Sequence, residues 1–166
     1  MQSTDFLLSK LAHHMDTLAT VSRVYIRVGR FTDVAPSTAE LAEQVHGLLV
    51  QIFEDVAWKR FFTSHEPMPA LNIEASLEPI EINEAAAFMA IAATVDIVWP
   101  PHRLMDDAGA LHTAKRVVSL LGADAAWWTN HDSYCGATNL VTPVFDSLIA
   151  GMNGHVFAML IQVADD

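Results

Sequence analysis

Two apolar runs near the C-terminus, Phe145 to Ala150 and Val156 to Val163, flank Gly151-Met152-Asn153-Gly154. Runs of this length are strand-sized, and an Asn-Gly step between two of them is the strongest short-range hairpin signal. Leu160 to Val163 is apolar enough to be a central strand. The sequence before the hairpin alternates between helical and extended patterns, so the chain reads as one α+β domain over residues 1–166. About four helices and a small, mainly antiparallel sheet ending in the C-terminal β-hairpin are expected.

Ser3 or Thr4 caps a first helix, on which Leu7, Leu8, Leu11, Met15 and Leu18 fall at three- and four-residue spacing. Arg23 to Arg30 fits either a continuing helix or an extended segment, because Val24, Tyr25 and Val28 suit both. Ser37-Thr38-Ala39-Glu40 is a capping box, and Leu41, Val45, Leu48, Leu49, Ile52 and Val56 make the apolar stripe of the helix that follows to about Arg60. Leu71 to Glu78 alternates apolar and polar residues without a break, which predicts a half-buried strand. Pro79 ends that strand or places it on a sheet edge. Asn83 caps a third helix, apolar all round and stopped by Pro100-Pro101. Asp106 or Asp107 starts a fourth, with Gly122 at its C-cap. Ala125 to Thr129 is a short strand, and Asn130 to Asn139 a polar loop.

The charge layout limits the function classes. The formal net charge is −11, with 20 acidic against 9 basic residues. Residues 61–102 contain no Lys or Arg but carry Glu66, Glu74, Glu78, Glu81, Glu84 and Asp96. Residues 117–166 again have no base, and these acids are expected to form a continuous negative face. Nucleic-acid affinity rests on basic residues neutralising phosphates, so neither DNA nor RNA is an expected partner. Anionic membrane surfaces are disfavoured for the same reason. A basic protein partner is the positive reading, and plain solubility is the bland one. The N-terminus lacks a signal-peptide pattern, and the longest apolar run, Ala85 to Trp99, is too short to span a bilayer, so a cytoplasmic location is expected.

Chemistry-bearing residues concentrate in Trp127-Trp128-Thr129-Asn130-His131-Asp132-Ser133-Tyr134-Cys135. A strand leading into such a loop displays aromatics beside His131 and Asp132 for partner recognition. The enzymatic alternative uses His131 as base for Cys135, with His102 or His112 nearby, but no Lys or Arg is close in sequence to lower the thiol pKa. His102, Asp106, Asp107 and His112 are spaced loosely for a metal, and HExxH, paired-Cys, GxGxxG, Walker and GxSxG patterns are absent. No cofactor and no metal are expected. Arg23, Arg27 and Arg30 fit ion pairs within the chain or at a subunit contact.

These features predict a non-catalytic acidic protein that covers a basic partner, in the manner of a toxin-neutralising (immunity) protein or a chaperone-like inhibitor. The expected contact residues are Trp127, Trp128, His131, Asp132, Tyr134, Glu74, Glu78 and Glu81. The alternative is a small cytosolic enzyme or ligand-binding protein using the His131–Cys135 loop. With 52% hydrophobic and only 17% charged residues, an apolar patch buried in a homodimer is also expected, at Trp127, Trp128 and Phe157.

Overall fold

A computed structural model of the chain describes residues 3–33, 35–132, 136–137, 140–141 and 144–165, with the backbone alone at 131, 132, 136 and 137. Its elements run α1 (Thr4–Leu18), β1 (Val24–Arg30), α2 (Thr38–Glu54), a 3₁₀ turn (Lys59–Phe62), α3 (Ala70–Ser76), β2 (Glu78–Ile80), α4 (Ile82–Thr94), α5 (Asp107–Leu121), β3 (Ala126–Thr129), β4 (His131–Asp132), β5 (Gly136–Ala137), β6 (Phe145–Met152) and β7 (Val156–Ala164). The main sheet has the order β1-β7-β6-β3-β2, with every neighbour antiparallel. The α+β class is as expected. The described residues hold five α-helices rather than about four.

The helices cover both faces of the sheet. Leu11, Met15, Ala85, Met89, Ala114 and Val117 from α1, α4 and α5 pack against Val24, Trp127, Ile149, Ala158 and Leu160. Leu41, Val45, Leu48 and Ile52 of α2 and Ile73 of α3 pack against Tyr25, Leu148, Met159 and Ile161. Successive strand residues face opposite sides, so a strand covered on both sides must be apolar at every position. All nine residues of β7 are buried.

The hairpin forms, but its turn sits one residue later than the Asn-Gly step suggests. Asn153 pairs with Val156, its N–H donating to the Val156 carbonyl at 3.0 Å. The two turn residues are therefore Gly154 and His155. The Asn153 carboxamide oxygen accepts from the N–H groups of both His155 and Val156 at 2.8 Å, an Asx turn. Its Nδ2 donates to the Leu121 carbonyl at 3.0 Å, which ties the hairpin to the last turn of α5. That helix ends at Gly122, whose φ of 102° is open only to glycine at little cost.

Several local readings hold and others do not. Ser37 Oγ accepts from the Ala39 N–H at 3.2 Å while the Glu40 carboxylate accepts from the Ser37 N–H at 2.6 Å, completing the capping box. Hydrogen bonds from Ser37 hold the Glu40 carboxyl down at about 2. Helix α2 stops at Glu54, short of Arg60, because Asp55 turns extended and takes both the Tyr25 hydroxyl (2.6 Å) and the Ala57 N–H (2.9 Å). The segment 24–30 is a strand. Helix α4 starts at Ile82 with Glu81, not Asn83, at its N-cap.

The predicted strand over Leu71 to Glu78 is mostly helix. Ile73 is fully buried, but Leu71 is 77% exposed and Ala75 points outward, so the alternation does not describe one buried face. Pro69 begins the turn with φ −62°, and its carbonyl accepts from the Asn72 and Ile73 N–H groups at 3.0 Å. Ala, Leu and Glu then continue the helix at low cost. Only Glu78 to Ile80 is extended, and it lies on the sheet edge where Pro79 is tolerated.

Candidate functional site

Two buried polar knots organise the surfaces around the sheet. In the first, Asp146 of β6 is 1% exposed. Its Oδ2 accepts from the backbone N–H groups of Leu140 and Val141 at 2.8 Å, and its Oδ1 from Asn130 Nδ2 at 2.5 Å. Asn130 Oδ1 in turn accepts from the Leu148 N–H at 2.9 Å. Burial pushes the Asp146 carboxyl up to about 7, against the three donors that favour its charged form. The knot fixes both ends of the segment between β3 and β6, the part of the chain that carries His131 to Cys135.

In the second knot, Asp96 follows α4. Burial alone would raise its pKa, but the Trp99 N–H, His102, the Val98 N–H and Arg23 together hold it below the usual carboxylate range. Arg23 donates to both carboxylate oxygens, at 3.1 and 3.2 Å, and His102 Nδ1 lies 3.2 Å from Oδ2. Gln162, the one polar residue of β7, donates from Nε2 to the Ala92 and Val95 carbonyls at 2.8 and 2.7 Å. Its Oε1 accepts from the Ile97 N–H at 2.9 Å. The side chain of a central strand thus caps the end of α4.

The residues expected to meet a partner are divided by the fold. Trp127 is 1% exposed, beneath α4 and against Gly151, and Phe157 is 2% exposed. Neither reaches a surface, which corrects the expectation that they form an outward apolar patch. Both faces of the sheet are covered, so outward strand positions exist only at the edges. Trp128, on the opposite face from Trp127, is half-buried and lies directly across from Pro79. Glu74 is half-buried on α3, where it accepts from the Thr38 hydroxyl at 2.7 Å. His131 and Asp132 form β4, paired with Ala137 and Gly136. Tyr134 and Cys135 lie outside the described residues.

The expected continuous acidic face is likewise divided. Asp96 and Asp146 are internal, and Glu74 is engaged between helices. What remains together is Glu78, Glu81 and Glu84, all exposed, on β2 and the first turn of α4. Glu84 was not among the expected contacts. Its position in the first turn suits the positive helix end, and this same turn brings it beside Glu81, whose carbonyl accepts the Glu84 N–H at 2.9 Å. Among the described residues none of the three carboxylates forms an ion pair. The β2 edge therefore carries Glu78 in the strand and Glu81 and Glu84 where the chain turns into α4, while Pro79 and the half-buried Trp128 pair on the opposite face of the strand.

The histidines of the metal and enzyme readings have other partners. His102 faces Asp96, Asp106 caps α5 by accepting from the Gly109 N–H at 2.7 Å, Asp107 pairs with Arg103, and His112 Nε2 accepts from Arg116 Nε at 3.2 Å. Among the described residues no three His, Cys, Asp or Glu side chains converge on a metal position. Between α4 and α5 lies an open, mostly apolar cavity of about 430 Å³, walled by Ala87, Ile91, Val95 and Leu111 and by the Arg103–Asp107 pair. Among the described residues no helix is long and apolar enough to cross a membrane. No family model, no curated protein and no solved structure matches the chain.

Proposed function

We propose that the protein is a non-catalytic acidic binding protein that covers a basic surface of a partner protein, as a toxin-neutralising (immunity) protein or a chaperone-like inhibitor does. The observation that carries this reading is the β2 edge, where Glu78, Glu81 and Glu84 are exposed and form no ion pair among the described residues, and where half-buried Trp128 pairs with Pro79 on the other face of the strand. Carboxylates of one sign steer a basic partner into place, and a partly exposed Trp supplies the apolar anchor that such contacts need. The cross-strand pair of Pro79 and Trp128 gives that anchor a rigid base. Titration with a Lys- and Arg-rich peptide, followed through backbone amide resonances, should move residues 78–84 and 126–129 first. Shifts spread evenly over the acidic surface, or centred on α2, would overturn the reading.

The homodimer belongs with this proposal, but at a different place. The Phe31 N–H donates to the His155 carbonyl and the Arg23 carbonyl accepts from the Val163 N–H, each at 2.8 Å, so the odd residues of β1 point their polar groups at β7. The even residues Ile26 and Val28 then point theirs away from the sheet. The β2 edge is blocked by its three-residue length and Pro79, whereas β1 is a seven-residue edge without a proline. No acid lies within β1, and its arginines are already engaged: Arg27 with Gln44, Arg30 with Asp5. Two copies of a −11 chain meet with least repulsion there, antiparallel about Val28, which sets Arg27 opposite Gly29 rather than Arg27. The two acidic edges then lie at the far ends of one ten-stranded sheet.

Val28→Pro removes an outward N–H together with the packing of a partly buried side chain. Light scattering should give twice the chain mass for the parent and a folded monomer for this variant. A monomeric parent at high micromolar concentration, or a folded dimeric variant, would contradict it. Should the variant unfold, hydrogen exchange decides: the Ile26 and Val28 amides must gain protection with protein concentration.

A further inference from the structure

Away from the acidic edge, α1 and α5 pack together and form a half-open surface cavity of about 140 Å³, lined by Lys10, His14, Arg116, Ser119 and Leu120. Lys10 and His14 are four residues apart and share a face of α1, and Arg116 and Ser119 are one turn apart on α5. No carboxylate lines this cavity, in a chain with more than twice as many acids as bases. Among the described residues neither Lys10 nor Arg116 forms an ion pair. The contacts they do make leave their charge uncompensated. The Lys10 ammonium sits 4.8 Å over the Phe6 ring, and Arg116 Nε donates to His112 Nε2 at 3.2 Å. Burial, and then the neighbouring His13, Arg116, Lys10 and His112, keep the His14 imidazole below its ordinary pKa. Positive groups gathered without a counter-charge repel one another, and a bound anion removes that cost.

We propose that the α1–α5 pocket binds the phosphoryl group of a small phosphate compound, either inorganic phosphate or a phosphomonoester. The Arg116 guanidinium offers the planar donor pair that phosphate oxygens match, Lys10 adds a point charge, and the Ser119 hydroxyl and His14 ring complete the donor set. The cavity is well below the roughly 300–1,000 Å³ of pockets that enclose drug-sized ligands, so it seats the phosphoryl group and leaves any organic portion outside.

The test follows the imidazole resonances of His14 and His112 while inorganic phosphate, glycerol phosphate or, at matched ionic strength, chloride is added. Phosphate should give a saturable shift at His14 and chloride none. Arg116→Gln, at an exposed helix position, should weaken the phosphate response about tenfold or more while leaving the fold intact. Lys10→Gln is the independent second variant should Arg116→Gln alter the fold. Tighter binding of glycerol phosphate identifies a phosphomonoester as the ligand class, and equal binding identifies inorganic phosphate. Absence of a saturable shift, or a response unchanged in either folded variant, would overturn the proposal.

Discussion

Asp146→Ala should lower the unfolding free energy by about 3–5 kcal/mol, because each buried donor left without an acceptor costs roughly 1–3 kcal/mol. Three donors lose their acceptor at once: the Leu140 and Val141 N–H groups and Asn130 Nδ2. That is a large share of the roughly 5–15 kcal/mol by which a domain of this kind is stable. The effect carries a pH signature whose sign is fixed by the direction of the pKa shift. Burial raises the Asp146 carboxyl to about 7, so the folded state binds its proton more tightly than the unfolded chain does. The penalty of burying the charge is present above pH 7 and disappears as pH falls towards the ordinary carboxylate range. The parent should therefore gain stability relative to Asp146→Ala between pH 8 and pH 5. Urea melts of both proteins across that range check this. A gap that narrows on acidification would contradict the assignment. Taking the difference cancels His14, whose lowered pKa acts with the opposite sign in both proteins.

Gly151→Ala should cost about 1–3 kcal/mol or more, the range for overpacking a well-filled core. A Cβ at Gly151 would lie about 2.5 Å from Cδ2 and Cζ3 of the Trp127 indole. That ring is 1% exposed and wedged between the sheet and α4, so it has no room to retreat. Gly154→Ala is the matched control in the same hairpin. A Cβ there meets nothing within 4 Å, and the backbone is not in the left-handed region. Its melt should stay within about 0.5 kcal/mol of the parent or rise slightly, since alanine restricts the unfolded chain. Equal losses in the two variants would mean that backbone entropy, and not the indole contact, decides the glycine at 151.

The hairpin and the capping box were legible because each is encoded within a few consecutive residues. The short helix α3 was not. Seven residues are too few for a 3.6-residue period to outvote a chance alternation, and only packing of Ile73 onto α2 decides between the two. The placement of Trp127 and Phe157 depends on which helices cover which face of the sheet. That is a tertiary property with no local signal, so residues expected to face outward are core. Asp146 and Gln162 did leave a trace, as polar residues within apolar strands. Their roles needed partners 16 and 70 positions away, Asn130 and Ala92. Of the proposed binding edge, Trp128, Glu78 and Glu81 were legible as aromatic and acidic residues. Their meeting at one edge follows from β2 pairing with β3 across some fifty residues of chain, which no short motif announces.

The central claim is that the β2 edge, and not the net charge alone, recognises a basic partner. Neutralising Glu78, Glu81 and Glu84 to Gln changes the charge by the same amount as Glu43→Gln, Glu54→Gln and Asp124→Asn, three exposed acids elsewhere. Calorimetric titration of both triple variants with the same Lys- and Arg-rich peptide separates the two ideas. The account predicts a loss of about tenfold or more for the edge variant and less than about twofold for the control. Equal weakening of the two would contradict it, leaving only a diffuse acidic surface.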